Sequence, residues 1–225
     1  MSEPRSTRLR PAGSIVVTRV RQQNAIQTAC VTVLFADLRG YTGMVERLPA
    51  ARVVPLLDEF FRVLGGAASK FGGEVYHMAG DGIMAGFGVE PGSGDGADKA
   101  LAAGHAMLEG FTAVAQRWRS ELSIDAGIGI GLHLGEVAFG LFGPPKRKTT
   151  TLVGDTVNVA ARLCSRARAG EVLFSCSVAA ALRDSPNSGA NAGLSSFLQL
   201  PQFELRGRRS PIDIWCVPAN DRLTL

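Results

Sequence analysis

The sequence predicts an α+β domain with a ferredoxin-like βαββαβ core and a C-terminal extension. Three observations lead to this fold class. An apolar, β-branched run over residues 28–37 has the composition of a buried strand. An amphipathic helical stripe follows, and two short apolar runs are then separated by Gly80-Asp81-Gly82, a pattern typical of a hairpin. A second amphipathic helix and a further strand complete the split βαβ order.

The first helix is predicted from apolar residues at 4-3-4-3 spacing, which places one stripe on a helix face: Val53, Leu57, Phe60, Leu64 and Ala67. Pro49 and Pro55 fit only the beginning of this helix, where missing N–H groups matter little. Gly72-Gly73 should end it. Strands are then expected at 74–78 and 83–87, so Asp81 should lie at the tip of their hairpin.

The rest of the chain alternates helical and strand patterns. The second helix is expected over 97–118 and a glycine-rich strand over 124–134, whose glycines would let another backbone approach closely. Residues 137–142 are expected to form the hairpin partner of that strand. The C-terminal extension should then contain strands at 149–153, 172–174, 203–206 and 212–217, helices at 155–166 and 178–182, a basic turn at 144–148 and a mobile loop at 184–196.

Composition indicates an ordinary globular protein. The 225 residues allow one sizeable core, with 46% apolar and 20% charged residues. No apolar run approaches the roughly 18 residues that span a bilayer, and the N-terminus lacks a secretory signal. The four cysteines are scattered without a CxxC pair, so we expect them to be reduced. These features favour the cytoplasm.

The net charge of +4 belongs to the N-terminus, where residues 1–27 carry five arginines and one acid. The remaining chain is formally neutral, so it presents no basic nucleic-acid face. We divide the chain into a basic flexible arm (1–27), a folded domain (28–217) and a tail (218–225). A solvated arm is favoured over one that contacts RNA, DNA or an anionic membrane, and no nucleic-acid or membrane partner is expected.

Two carboxylates are candidates for metal binding. Asp37 ends the first strand and Asp81 lies at the hairpin tip, and the ferredoxin-like order brings these positions together. Oxygen ligands suit Mg²⁺ or Mn²⁺, and a pair of ions can activate an attacking hydroxyl and hold leaving phosphates. The backbone over 38–42 offers N–H donors to a triphosphate. The simpler interpretation makes Asp37 a helix cap and Asp81 a turn residue.

A third feature is the pair Asn158 and Arg162. These residues are four apart, so they project from one face of the predicted helix. An amide and a guanidinium held there could bind a ribose and a transferring phosphate. An isolated pair at this spacing is more often surface decoration. His105 and His133 are expected to be structural.

The motifs at residues 36–42, 80–82, 154–163 and 203–208 resemble, in order, those of class III nucleotidyl cyclase catalytic domains. The resemblance covers roughly residues 28–217. It implies a homodimer with composite active sites, in which one chain supplies metal ligands and the other supplies Asn158 and Arg162. It also implies a reaction in which the ribose 3′-hydroxyl attacks the α-phosphate of a nucleoside triphosphate and pyrophosphate leaves.

The resemblance assigns a role to each matching position. It implies that Asp37, Asp81 and the backbone of Leu38 bind two divalent cations, Mn²⁺ or Mg²⁺. Asn158 would orient the ribose and Arg162 would stabilise the charge at the α-phosphate. The triphosphate would be bound by Gly40, Tyr41, Thr42 and one of two arginines, Arg206 or Arg208.

The residues expected to read the base depart from the family. Adenylate cyclases of this class commonly have Lys and Asp where this chain has His77 and Thr151, which can each donate or accept. Tyr41 replaces a usual Phe and adds bulk and a polar tip. The combination resembles bacterial pyrimidine cyclases of antiphage signalling, so UTP or CTP is favoured over ATP, with GTP third. The non-enzyme alternative is a catalytically dead dimerisation or sensing module, which the intact acids, Asn158 and Arg162 argue against.

Overall fold

The computed structural model describes residues 26–90, 92–185, 197–204 and 211–217. Over these ranges the chain forms one mixed β-sheet of eight strands with five helices, which confirms the predicted α+β class. No helix within the described ranges is long and apolar enough to cross a membrane. The arm up to residue 25, the expected loop from 186 onward, Arg206, Arg208 and the tail lie outside the described residues.

The strands are β1 (Gln27–Arg39), β2 (Glu74–Ala79), β3 (Gly82–Phe87), β4 (Gly127–Phe142), β5 (Thr149–Val153), β6 (Val172–Ser175), β7 (Leu198–Phe203) and β8 (Ile212–Val217). The helices are α1 (Tyr41–Arg47), α2 (Ala50–Lys70), α3 (Ala97–Leu122), α4 (Asp155–Arg166) and α5 (Cys176–Asp184). The sheet order is β2-β3-β1-β4-β6-β8-β7, and β5 pairs with β4. The β4–β6 pair is parallel, whereas β1 is antiparallel to both of its neighbours.

The order β1-α2-β2-β3-α3-β4 is the predicted ferredoxin-like core, with the short α1 as an addition. Helix α2 begins directly after Pro49 and holds Pro55 in its first two turns. The backbone then turns at Gly72, whose φ of +74° favours glycine. The β2–β3 hairpin has Gly80 and Asp81 at its tip, as expected.

The two faces of the sheet are covered differently. On β1, Leu34, Ala36 and Leu38 pack into the main core with residues of α2 and α3. Val31 and Val33 point to the other face and pack with residues of β5 and α4. Side chains alternate along a strand, so Asp37 and Arg39 share the face that α4 covers.

The expected hairpin between residues 124–134 and 137–142 is wrong. These residues form one continuous strand, β4, and its hairpin partner is β5, which pairs from Ala138↔Val153 to Phe142↔Thr149. Gly135 does not make a turn. An added Cβ there would lie 2.6 Å from the Thr156 hydroxyl oxygen of α4, so this glycine provides space for a helix.

Helix α4 lies directly against the backbone of β4. A Cβ on Gly131 would come within 2.1 Å of the Cys164 nitrogen and 2.4 Å of the Ala160 carbonyl oxygen. Gly129 and Gly135 face the same helix, and we call Gly129, Gly131 and Gly135 the glycine track. The expectation that glycines of this strand admit another backbone is therefore confirmed.

Candidate active site

The structure brings Asp37 and Asp81 to the same place. Asp37 on β1 pairs in register with Gly82 of β3, the residue that follows Asp81. The Leu38 N–H donates to the Asp81 carbonyl oxygen at 2.9 Å, which ties the hairpin tip to β1. The first strand extends to Arg39 rather than ending at Asp37, so the Leu38 N–H predicted to face a triphosphate is already used.

The electrostatics around Asp37 suit a cation. Burial and the nearby Asp81 carboxylate raise the pKa of Asp37, although the Arg39 guanidinium opposes both effects. In an antiparallel strand the N–H and C=O of one residue point to the same neighbour, so the Leu38 carbonyl also faces the hairpin tip. Two carboxylates and one carbonyl form an all-oxygen donor set of the kind that Mg²⁺ and Mn²⁺ prefer.

The donor set is small, which is consistent with ions that also bind substrate. Within the described ranges no group of three or more His, Cys, Asp or Glu side chains is placed to hold a metal ion. Mg²⁺ commonly uses one or two protein carboxylates and completes its shell with phosphate oxygens and water. The residues present therefore fit divalent cations that are bound together with a nucleotide.

Arg39 was missed in the sequence, although it is the best-connected side chain of the site. Its guanidinium forms an ion pair with Asp37 and donates to the backbone carbonyls of Cys164 and Ala167, with Nε 3.0 Å from the Ala167 oxygen. Asp37 and Arg39 are two apart on one strand, which places them on the same face. That spacing is the only indication in the sequence, because the partners on α4 are more than a hundred positions away.

Asn158 and Arg162 lie on α4 outside its buried face. That face packs onto the sheet through Thr156, Val159, Ala160, Leu163 and Cys164. Asn158 is exposed and Arg162 is half-buried. One chain therefore carries two separate groups: a carboxylate half-site (Asp37, Asp81 and the Leu38 carbonyl) and a helix half-site (Asn158 and Arg162).

The three expected base-reading residues lie on different elements. His77 is exposed on β2, and Thr151 is half-buried on β5. Leu152 of β5 packs in one cluster with Tyr76 of β2, so these two strands approach each other. Tyr41 begins α1, and its half-buried ring packs against the main core on the opposite face of the sheet. The structure brings the strands of His77 and Thr151 together, but it does not bring Tyr41 to them.

The turn after β1 requires glycine. Gly40 has φ +88°, and a Cβ there would lie 2.3 Å from the Asp125 carbonyl oxygen. Gly40 caps α1, and its carbonyl accepts the Met44 N–H at 3.1 Å. Thr42 is exposed in the first turn of that helix. Gly40 therefore sets the direction in which the chain leaves the carboxylate half-site.

The two remaining histidines sit in structural surroundings. His133 Nδ1 lies 2.7 Å from the hydroxyl of the fully buried Ser175, and the Ser175 and Ser177 hydroxyls are 2.9 Å apart. The Ser177 hydroxyl donates to the Leu134 carbonyl. Burial lowers the pKa of His105, whose Nε2 has no hydrogen-bond partner among the described residues. These contacts agree with the structural role expected for both.

An α+β domain with two carboxylates at a strand–hairpin junction has the features of a metal-dependent phosphoryl-transfer domain. The family model described as adenylate and guanylate cyclase catalytic domain matches residues 23–217, and the chain belongs to this family. Among solved structures, the adenylyl cyclase CyaB from P. aeruginosa superposes with a TM-score of 0.78 at 29% identity, over 88% of this chain and 98% of that one. The guanylyl cyclase Cya2 gives 0.75 and 27%, over 89% and 98%.

Curated relatives match over part of their length. An adenylate cyclase of Anabaena cylindrica is 34% identical over 148 residues, which cover 62% of this chain and 28% of the relative. An uncharacterized protein of Mycobacterium tuberculosis is 35% identical over 150 residues, which cover 67% and 26%. The matched segment thus spans little more than a quarter of these relatives.

Proposed function

We propose that this chain is a metal-dependent nucleotidyl cyclase that converts a nucleoside triphosphate to a 3′,5′-cyclic nucleotide and pyrophosphate. The observation that carries the proposal is the convergence of Asp37 and Asp81 at the β1–hairpin junction of a domain that belongs to the cyclase family. The carboxylates repel each other across this junction, and a divalent cation would relieve that repulsion.

Each half-site has a distinct task in this reaction. Asp37, Asp81 and the Leu38 carbonyl would hold two Mn²⁺ or Mg²⁺ ions, which supply Lewis-acid activation and charge neutralisation when bound. Asn158 holds the ribose so that its 3′-hydroxyl lies in line with the α-phosphate. Arg162 stabilises the charge that develops there while the bond to pyrophosphate breaks. The turn at 40–42 and either Arg206 or Arg208 would bind the triphosphate.

The complete site requires two chains. Asn158 and Arg162 lie on the outer side of α4, outside the face that packs onto β4 of their own chain. A homodimer in which the helix half-site of one chain meets the carboxylate half-site of its partner supplies every group, and twofold symmetry then generates two such sites.

The proposed substrate is UTP or CTP, and the proposed setting is antiphage signalling through a cyclic pyrimidine nucleotide. His77 and Thr151 support a different base preference, because they stand in place of the usual Lys and Asp. The strands that carry them, β2 and β5, approach each other. Tyr41 supports it less, since its ring packs in the core. ATP is the second candidate, because an adenylyl cyclase is among the structural neighbours at 29% identity.

The first experiment measures cyclisation directly. The protein is incubated with Mn²⁺ and each of the four triphosphates, and cyclic nucleotide and pyrophosphate are quantified. We expect most product from UTP or CTP, and none after Asp37→Ala or Asn158→Ala. Arg62→Ala is the matched control, because Arg62 is an exposed residue of α2 whose ion pair with Asp58 is also exposed. Product chiefly from ATP would make the chain an adenylate cyclase, and no product from any triphosphate would favour the inactive module.

Metal binding can be tested without turnover. A Mn²⁺ concentration of 100 times the dissociation constant stabilises the folded state by about 2.7 kcal/mol. For a domain of this size that corresponds to a rise in Tm of roughly 5–10 °C. The rise should disappear in Asp37→Ala and in Asp81→Ala and persist in Arg62→Ala. A rise of equal size in all three variants would place the ions elsewhere.

The composite site predicts complementation. Asp37→Ala and Asn158→Ala chains are each inactive, but a mixed dimer retains one intact site. With random exchange, half of the dimers are mixed, so activity should return to about a quarter of the wild-type value. Native mass spectrometry verifies the exchange. Mixed dimers without activity would refute the shared site.

A further inference from the structure

The Arg39 side chain lies beside the carboxylate half-site and has hydrogen-bond partners on two elements. Its guanidinium meets three acceptors on two elements: the Asp37 carboxylate on β1, and the Cys164 and Ala167 carbonyls at the end of α4. The glycine track makes room for it, because a Cβ on Gly129 would lie 2.6 Å from Nη2 and 2.8 Å from Nε of Arg39. The side chain is 24% exposed.

We propose that Arg39 is a positioning residue that locks the metal-binding carboxylate of Asp37 to the C-terminal turn of α4. The inference rests on the proposed cyclase function and deepens it. Arg39 touches neither substrate nor reacting atoms in this role; it acts through Asp37 at one end and through α4 at the other.

At the Asp37 end, Arg39 fixes the orientation of a ligand. The ion pair holds Oδ2 of Asp37. The other oxygen, Oδ1, is turned toward β3, where it lies 3.4 Å from the position that a Cβ on Gly82 would take. Gly82 follows Asp81, so Oδ1 faces the hairpin tip that carries the second carboxylate. A planar guanidinium orients a carboxylate in this way better than an ammonium group does.

At the helix end, Arg39 caps α4. The Cys164 carbonyl already accepts the Ala167 N–H at 3.0 Å, and the Arg39 guanidinium adds a second hydrogen bond to it and one to the carbonyl of Ala167, the residue that follows α4. These contacts also place positive charge at the negative end of the helix dipole. The same helix carries Asn158 and Arg162. In a composite dimer the two half-sites of one chain serve opposite active sites, so Arg39 joins the metal site of one reaction centre to the ribose and phosphate groups of the other.

The first test measures Mn²⁺ affinity of the nucleotide-free homodimer by electron paramagnetic resonance. We expect Arg39→Gln to weaken Mn²⁺ binding about 10- to 100-fold and Arg39→Lys to weaken it less, since charge is kept and the planar fork is lost. Gly129→Ala, whose Cβ would strike the guanidinium and lie 2.7 Å from the Ala167 carbonyl oxygen, should also weaken Mn²⁺ binding. Arg47→Gln is the matched control, because Arg47 also donates to a carbonyl, that of Ser123 at 2.8 Å, but on the exposed surface.

Circular dichroism verifies that each variant is folded, and Arg39→Lys replaces Arg39→Gln if the latter is not. Unchanged Mn²⁺ affinity in the folded variants would overturn the positioning role. Tighter binding would also overturn it, since it would mean that Arg39 competes with the ion for Asp37.

The second test separates the two ends. In the mixed dimer of Asp37→Ala and Asn158→Ala chains, the intact site takes Asn158 and Arg162 from the Asp37→Ala chain. Arg39→Gln added to that chain acts only through α4, so kcat should fall several-fold while the Mn²⁺ concentration for half-maximal rate stays constant. Added to the other chain, it should raise that Mn²⁺ concentration.

No loss of rate in the first placement would overturn the link through α4. Failure of the proposed function looks different: the mixed dimer is then inactive before Arg39 is changed. In that case the Mn²⁺ affinities of the homodimers still test whether Arg39 positions Asp37.

Discussion

Gly131→Ala is a sharp perturbation of the contact between β4 and α4. The new Cβ would lie 2.1 Å from the Cys164 nitrogen, whereas ordinary contact begins near 3.4 Å. The neighbouring atoms are helix backbone and cannot change rotamer. The helix must therefore retreat by about 1.3 Å, and it carries Asn158 and Arg162 with it.

The size of the effect follows from this displacement. Overpacking of a well-packed contact typically costs about 1–3 kcal/mol, which corresponds to a fall in Tm of roughly 2–12 °C for a domain of this size. A misplacement of about 1 Å in a catalytic group can lower the rate on the order of 100-fold. We expect Gly131→Ala to remain folded with a modestly lowered Tm, while its rate of cyclic nucleotide formation falls on the order of 100-fold.

The assay pairs thermal unfolding with the rate of cyclic nucleotide formation. Gly66→Ala is the matched control, because Gly66 lies exposed inside α2 with nothing within 4 Å of an added Cβ. Alanine is the better helix former, so this control should gain up to about 1 kcal/mol and keep its rate. If the Tm and the rate of Gly131→Ala equalled those of the wild type, α4 would not rest on the β4 backbone as described.

Further predictions concern the surroundings of the site. Gly40→Ala should lower Tm strongly, because φ is +88° and the Cβ would strike the Asp125 carbonyl; an unchanged melting curve would refute this. Burial raises the pKa of Glu59, but hydrogen bonds from Arg117 and Trp118 outweigh it and leave the pKa below its ordinary value of 4.5. This contribution to the free energy of unfolding is present above pH 4.5 and is lost as the pH falls below it. The Tm of Glu59→Gln should therefore fall less than the wild-type Tm when the pH is lowered through this range, and an equal fall in both proteins would contradict the assignment. A thiol reagent should label the exposed Cys30 and Cys176 in the folded protein and the buried Cys164 and Cys216 only in denaturant, where burial no longer raises the pKa of Cys164 to about 12 and of Cys216 to about 11. Cys30 should react more slowly than a free thiol, because burial and the carboxylates of Asp95 and Glu136 raise its pKa.

The parts of the fold that sequence predicted well are those with local patterns. The Gly-Asp-Gly turn between two apolar runs fixes the β2–β3 hairpin, and the apolar spacing around Phe60 predicts α2 because both are read within a few residues. The short α1 was not predicted, since seven residues are too few to show a helical period.

Two other failures have one physical cause. Gly135 and Arg39 are explained by atoms of α4, which is distant in sequence. A glycine in a strand is compatible with a turn or with close backbone approach, and only the position of Thr156 shows which applies. Arg39 could be placed on the face of Asp37, but its carbonyl partners at Cys164 and Ala167 depend on tertiary packing.

The glycine track also has a consequence for redesign. At Gly131 the helix backbone rests on the strand backbone and no side chain is available to adjust, so any larger residue there shifts the whole helix. A Cβ at Gly129 would strike the Arg39 side chain and the Ala167 carbonyl, and a Cβ at Gly135 would strike the Thr156 side chain. Libraries that aim to change the accepted base should therefore leave these three positions fixed. Diversity belongs at exposed or half-buried strand positions such as 77 and 151, where a new side chain alters a surface and not the alignment of α4.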